Sequence, residues 1–417
     1  MIFDIRNYGA VGDGKTMDTA AIQAAIDACA EAGGGQVWVE GGVYLTCPIR
    51  LKSYVELHIE ANATILGSPD YRDYHNWDDL ETVDGSKFAR NLSSCLIFAE
   101  NCHHIAITGM GTIDANGTNF VKPKGNPEDR WKRYVRINLL TPPRVVLLAS
   151  CRKVRVENVS LVNSPAGWSY FLHNCTDVCM KGLTIDTDLG YPNNDGIHIN
   201  CCADVTVSDC NIKASDDAII VRANNYMNLG ENRVCERISV TNCNLISHCG
   251  AVRLGWLKDG VIRDCTFSNL SVVNTRNVVL VTFPWRGPDR IPDEGREKTL
   301  IENIQFDNIV ADRIYGHPIR MYVDDHEGNH AEVEAVRKLY FRGLRVRGLM
   351  WPSIEGRPDC KFEDMEFSDC VFEKEERTPD YDPYVTCFNP ERPEPFGEKL
   401  FENVKRLRLL NTVFTEK

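Results

Sequence analysis

Two short acidic segments, Asn193-Asn194-Asp195-Gly196 and Ser215-Asp216-Asp217-Ala218, place Asp195 and Asp217 22 residues apart in the chain. Each precedes an apolar string of the same phase. Asp195-Gly196-Ile197-His198-Ile199 falls on Asp217-Ala218-Ile219-Ile220-Val221, and then on Gly250-Ala251-Val252-Arg253-Leu254. Asp216 falls on Asn194. On neighbouring rungs of a stacked sheet, Asp195 and Asp217 stand about 4.8 Å apart. Three carboxylates that close cannot all ionise freely, so at least one pKa is raised. A protonated carboxyl beside ionised ones is what hydrolysis of a glycosidic bond needs. One gives a proton to the leaving oxygen while the others activate water. Asp and Asn also build turns, which accounts for any single one of these residues. Two aligned acidic segments, one with paired Asp, favour chemistry.

Three positions further along, the aligned strings hold His198, Ile220 and Arg253, with Arg222 nearby. Asn193, His198, Arg222 and Arg253 are read as substrate contacts, the basic ones suited to a sugar carboxylate. They also offset the repulsion of an acidic protein for an acidic substrate. His248 lies just before the aligned position of the next string and is read as a catalytic group beside the three Asp. Trp168, Trp256 and Trp285 are read as stacking platforms for pyranose rings. Plainer readings stand beside these: solvated charge for the arginines, structural roles for the histidines, packing under loops for the tryptophans.

The elements that must position these residues repeat along the chain. Related strings start at Asn101, Cys151, Cys175, Cys202 and Cys235, and later ones near Thr299, Val336 and Cys360. They recur at roughly 20 to 35 residues and alternate apolar with polar positions. Coils of this length without helix predict an all-β fold, a single parallel β-helix domain over 1–417. Residues 1–35 read as an N-terminal cap. Its helix starts at Asp18-Thr19, carries Ala21, Ile22, Ala25, Ile26, Cys29 and Ala30 on one face, and ends at Gly33-Gly34-Gly35. Residues 373–417 read as a C-terminal cap region, in which 373–398 also suits a subunit contact. Asn163, Asn174, Asn242 and Asn244 are read as corner residues. Segments 68–95, 115–142 and 284–298 break the repeat and read as loops walling a groove.

Composition narrows the class. The net charge is −12 and no basic run exceeds two residues, which argues against nucleic acid as a partner. No apolar stretch reaches about 18 residues, so no membrane span is expected. The N-terminus shows no signal-peptide pattern, which predicts a cytoplasmic protein. The 17 cysteines are an odd number. Most recur at one repeat phase: Cys151, Cys175, Cys202 and Cys235, and also Cys210, Cys243 and Cys265. They predict a buried thiol ladder rather than disulfides, and no four-ligand metal set is seen.

With these residues in view, the chain resembles the polygalacturonase family of glycoside hydrolases, family 28, as an atypical bacterial member. Tyr8–Ile26, Ile107–Asp114 and Val162–Pro165 are similar to segments of that family. Asn193-Asn194-Asp195 matches its Asn-Thr-Asp motif, and Asp216-Asp217 its Asp-Asp motif. The resemblance implies a right-handed parallel β-helix and inverting hydrolysis without metal or other cofactor. It implies Asp216 as general acid and Asp195 with Asp217 as the groups that activate water. Two family motifs are absent. Gly-His-Gly falls on Cys249-Gly250-Ala251, and Arg-Ile-Lys on Leu280-Val281-Thr282, with Arg253, Arg286 or Arg320 as substitutes. The expected substrate is a galacturonide, rhamnogalacturonide or related oligosaccharide, attacked in exo fashion. Two alternatives stay open: a β-helix polysaccharide lyase or intramolecular glycosyl transferase, and a non-catalytic carbohydrate-binding β-helix. A homo-oligomer also stays open.

Overall fold

Alternating apolar residues give each string one face that must be buried, and stacking the strings buries all those faces in one column-lined core. The computed structural model describes residues 1–74, 94–124, 133–137, 144–165, 167–224, 233–256, 259–283, 298–323, 325–326, 329–330, 333–360, 362–376 and 400–416. The chain winds as a right-handed parallel β-helix. One long face is a sheet of 11 parallel strands, one per coil, running from Ile49–Arg50 to Phe401–Glu402. Its central strands are Arg144–Ala149, Trp168–His173, Ile197–Asn200, Ile219–Arg222, Gly250–Leu254, Asn277–Phe283 and Ile319–Val323.

The core is built of like residues in register. Phe267 pairs with Phe306, Phe306 with Phe341 and Phe341 with Phe367. Their rings stack at 5.1, 5.0 and 4.6 Å with small interplanar angles, close to the coil spacing. The same column continues through Val240, Val207, Met180 and Val156 toward the N-terminal end.

Cys102, Cys151, Cys175, Cys202, Cys210, Cys235 and Cys243 fill a neighbouring part of this core as free thiols. The Cys175 amide donates to Cys202 Sγ at 3.3 Å. Cys265 departs from the predicted ladder. It aligns with Ile238 and Ile304, not with Cys243: the coils of Ile238 and Cys265 are offset by 27 residues, whereas Cys265 follows Cys243 by 22. The corners use left-handed residues: Asn163, Asn174 and Asn242 have φ of 52, 53 and 55°. Asn244 instead lies in the strand Asn244–Ser247 and donates to Asn211 Oδ1 at 2.8 Å, one rung of an exposed amide ladder.

At the N-terminal end the helix Thr19–Glu31 lays Ile22, Ala25, Ile26 and Cys29 over the open core. Asp18 does not cap it through its side chain. Its carboxylate takes the amides of Val11 and Gly12 at 2.7 and 3.1 Å instead. The rest of residues 1–35 is not all cap: Ile2–Asp4 and Asp13–Met17 pair with the next strands as a first coil. The C-terminal region likewise continues the repeat. Val404–Leu410 and Val413–Glu416 pair with Phe362–Ser368 and Val371–Lys374 as a last coil. Residues 377–399, 75–93 and 284–297 lie outside the described residues, and with them most of the predicted first and third loop segments and Trp285 and Arg286. Of the second loop segment, Val121–Pro123 and Tyr134–Arg136 form a small antiparallel pair.

Phe306 has no exposed surface and lies between two stacked rings. Phe306→Ala should lower unfolding stability by about 3–5 kcal/mol, read from denaturant midpoints at unchanged m-value.

Candidate active site

Parallel register fixes what stands next to what on the outer side of the 11-stranded sheet. Ile197 pairs with Ile219 and Ile219 with Val252, so Asp195, Asp217 and Gly250 follow one another up one column. Below them the column holds Trp168 and Arg144, and above them Asn277 and His317. The adjacent column reads Phe171, His198, Ile220, Arg253, Leu280 and Arg320. The backbone ladder runs unbroken through the acidic corner. The Gly196 amide donates to the Asp217 carbonyl at 2.9 Å, Asp216 to Asn194 at 3.0 Å and Ala218 to Gly250 at 2.9 Å. Buried Asn194 ties the corner down by donating Nδ2 to the Ser164 carbonyl at 2.9 Å, and Asn193 turns it with φ of 52°.

These columns face a cavity of about 480 Å³, lined by Asn193, Asp195, Asp216, Asp217, His198, Arg222, Arg253, Trp168 and Trp256, all anticipated from the sequence. Asp195 and Asp217 are each 3 % exposed, whereas Asp216 is only half-buried. Burial pushes the Asp195 carboxyl well above the usual range. The charges of Asp216 and Asp217 add to this, against the opposing pull of Arg144 and Arg253. Burial raises Asp217 as well, opposed chiefly by Arg253. Arg253 Nη1 donates to Asp217 Oδ2 at 2.9 Å and Nη2 to Thr282 Oγ1 at 2.7 Å. Its guanidinium lies 4.0 Å from the Trp256 ring centre.

Several predicted contacts have other roles in the folded chain. Arg222 lines the cavity, but its guanidinium forks onto Asp259, Nε to Oδ2 at 2.6 Å and Nη2 to Oδ1 at 2.8 Å, with Asp259 wholly buried. Arg320 donates to Glu355 at 2.6 Å. Trp168 is no sugar platform. The Arg144 guanidinium lies 3.3 Å from its ring centre, and His198 stacks at 3.7 Å. Those two residues come from the coils on opposite sides of it, so both ring faces are covered. His248 is not among the cavity's lining residues; it belongs to the corner between Asn244–Ser247 and Gly250–Leu254 and meets Tyr315 edge-on. Its neighbour Cys249 lines the cavity in its place, as a thiol that burial holds well above its usual pKa.

At position 250 a Cβ would lie 2.9 Å from Asp217 Oδ1 and 3.1 Å from Leu280 Cβ, so a larger residue there requires those side chains to shift. Leu280, expected at the Arg-Ile-Lys position, stands in its column between Arg253 and Arg320. Arg144, Asp259, Arg276, Asn277, His317 and Tyr322 were not picked out from the sequence. Extending the alignment two coils each way finds three of them, since Arg144, Asn277 and His317 share the phase of Asp195. Asp216, Asp217 and Cys249 bring possible metal-ligand atoms within 4.8 Å of one another. Arg253 already supplies positive charge there, with Nη1 3.8 Å from Cys249 Sγ.

The family model described as Glycosyl hydrolases family 28 matches residues 46–346. A "Probable polygalacturonase" of Vitis vinifera is 27 % identical over 283 residues, 66 % of this chain, and the chain spans only 55 % of that protein's length. The solved exopolygalacturonase of Thermotoga maritima superposes with a TM-score of 0.74 at 22 % identity, over 100 % of this chain and 92 % of that one. The family 28 exopolygalacturonase of Yersinia enterocolitica gives 0.73 at 18 %, over 100 % and 75 %. The match over most of the coils, acidic rungs included, makes this chain a member of glycosyl hydrolases family 28 and a glycoside hydrolase.

Proposed function

We propose that the chain removes sugar units from the end of galacturonide-containing pectin fragments, with inversion, through Asp216 as acid and Asp195 with Asp217 as the groups that activate water. The observation that carries this reading is the convergence of three carboxyls from two consecutive rungs on one cavity. Asp217 is bound to Arg253, which favours its charged form. Asp195 Oδ2 lies 3.2 Å from His198 Nδ1, and an N–H donated across that contact favours a carboxylate. Asp216 is the least buried of the three, where a leaving oxygen can reach it.

The exo preference draws on the names of the solved relatives. The wall beside the acidic corner is consistent with it. Arg133 pairs with Asp188 at 2.9 Å and Tyr134 packs edge-on against Tyr191, just before Asn193. Recognition of the sugar carboxylate falls to Arg276 on the cavity wall, in place of the absent Arg-Ile-Lys motif.

The test is product analysis on galacturonan and rhamnogalacturonan oligosaccharides. Release of one small sugar from one end, with little loss of polymer viscosity, is expected. Asp216→Asn should lower kcat at least about 100-fold with little change in KM. Random-length products would overturn exo action, and an ultraviolet-absorbing unsaturated product would favour a lyase.

Because Asp195 and Asp217 must be ionised to act, the rate should rise with pH, and the acidic limb of kcat/KM should lie above about pH 4, where ordinary Asp titrates. The raised folded pKa of Asp195 makes its contribution to folding favourable in acid and lost as pH rises through that pKa. Asp195→Asn should therefore abolish turnover yet raise the thermal midpoint at neutral pH, with the gain shrinking in acid.

A further inference from the structure

We infer that Arg144, Trp168 and His198 form a positioning stack for Asp195, in which His198 donates Nδ1–H to the carboxylate and so fixes which oxygen faces the water to be activated. His198 has no exposed surface, and its Nδ1 lies 3.2 Å from Asp195 Oδ2. An ionised carboxylate only accepts, so the proton of that bond sits on Nδ1. Nε2 is buried and has no hydrogen-bond partner among the described residues. Protonating it would bury a charged donor with no acceptor, a costly state.

The stack makes that state costlier. Trp168, on the preceding coil, lies against the imidazole at 3.7 Å and 29°, and Phe171 meets it edge-on at 5.1 Å. Arg144, one coil further back, covers the other face of Trp168. Burial and the charges of Arg222, Arg144 and Arg253 hold the imidazole well below its ordinary pKa, with His173 acting in the same direction. Asp195 itself is faced by Asp216 and Asp217, which oppose its charge, and by Arg144 and Arg253, which favour it. Arg144 thus serves Asp195 twice. It favours the carboxylate, and it keeps the imidazole a single-proton donor rather than a cation. Trp168 holds the two apart at ring-stacking distance. His198 is then a positioning residue and not a sugar contact.

This inference rests on the reading of Asp195 as a water-activating group, so the first experiment does not depend on substrate. Nitrogen-15 NMR of imidazole-labelled full-length protein reads the tautomer directly, with the His198 signal assigned by its loss in His198→Asn. A neutral Nδ1–H ring that persists well below about pH 6.5, the ordinary histidine midpoint, is expected. An Nε2–H tautomer, or titration near that ordinary midpoint, would overturn the proposal whatever the sugar proves to be. Kinetics supply the second arm. His198→Leu should cut kcat roughly 10- to 100-fold at nearly constant KM and move the acidic limb to higher pH. His198→Asn, whose amide nitrogen can replace Nδ1, should restore most of both. Equal losses in the two variants, or a raised KM with kcat retained, would also overturn it.

Discussion

The separation of hydrogen-bonded coils, about 4.8 Å, is the constraint on which the rest of this molecule depends. It makes each position of the repeat a column, and each column admits one kind of solution. Inside, like residues stack: phenylalanine on phenylalanine through four coils, thiols and aliphatics elsewhere. Outside, on the 11-stranded sheet, unlike residues stack. Arginine, tryptophan, two aspartates, glycine, asparagine and histidine follow one another in a single column. The same spacing that packs the core therefore brings carboxyls within interaction range and leaves little room on the next rung. A larger residue at 250 would have to displace the Asp217 or Leu280 side chain.

Charge is settled by the same geometry. Three cavity-lining arginines are each held by an acid: Arg222 by Asp259, Arg253 by Asp217 and Arg320 by Glu355. Burying an ion pair gains little net stability, but removing one partner strands the other at a cost of about 3–5 kcal/mol. These pairs therefore fix side-chain position more than they add stability. Arg253 shows the difference. Bound to Asp217 and Thr282 and packed on Trp256, it is held as part of the carboxylate site, where a sequence reading makes it a sugar contact.

The alignment of Asp195, Asp217 and Gly250 was legible because strands repeat with a period of two and corners repeat with left-handed Asn, Asp and Gly. Phase survives insertions between coils, so the column survives too. What lay beyond the sequence was contact between columns and across coils. Trp168 has the composition of a sugar platform, yet its two faces are taken by residues 24 positions before and 30 after it. Arg222 looks like a free cation until Asp259 arrives from 37 residues away. His248 sits two positions from the expected histidine, but it belongs to a corner rather than a strand and meets Tyr315 edge-on. Both ends of the chain read as caps because their apolar alternation is weak. Pairing with the neighbouring coil, not local pattern, makes them strands.

A site of this kind is locally unfavourable. Two buried carboxyls with raised pKa oppose folding at neutral pH, and the glycine at 250 adds backbone freedom to be lost. A globular core would spread that strain through all its packing. In a solenoid each coil contacts only its neighbours, so stability is close to a sum of local terms and the penalty stays on the two or three rungs that carry it. The coils on either side supply the excess. The aromatic column from Phe267 to Phe367 begins close beyond the acidic rungs, where coil-to-coil stacking is strongest in ring area. The fold can thus hold a destabilised, reactive rung in fixed register because the coils beyond it stack independently of it.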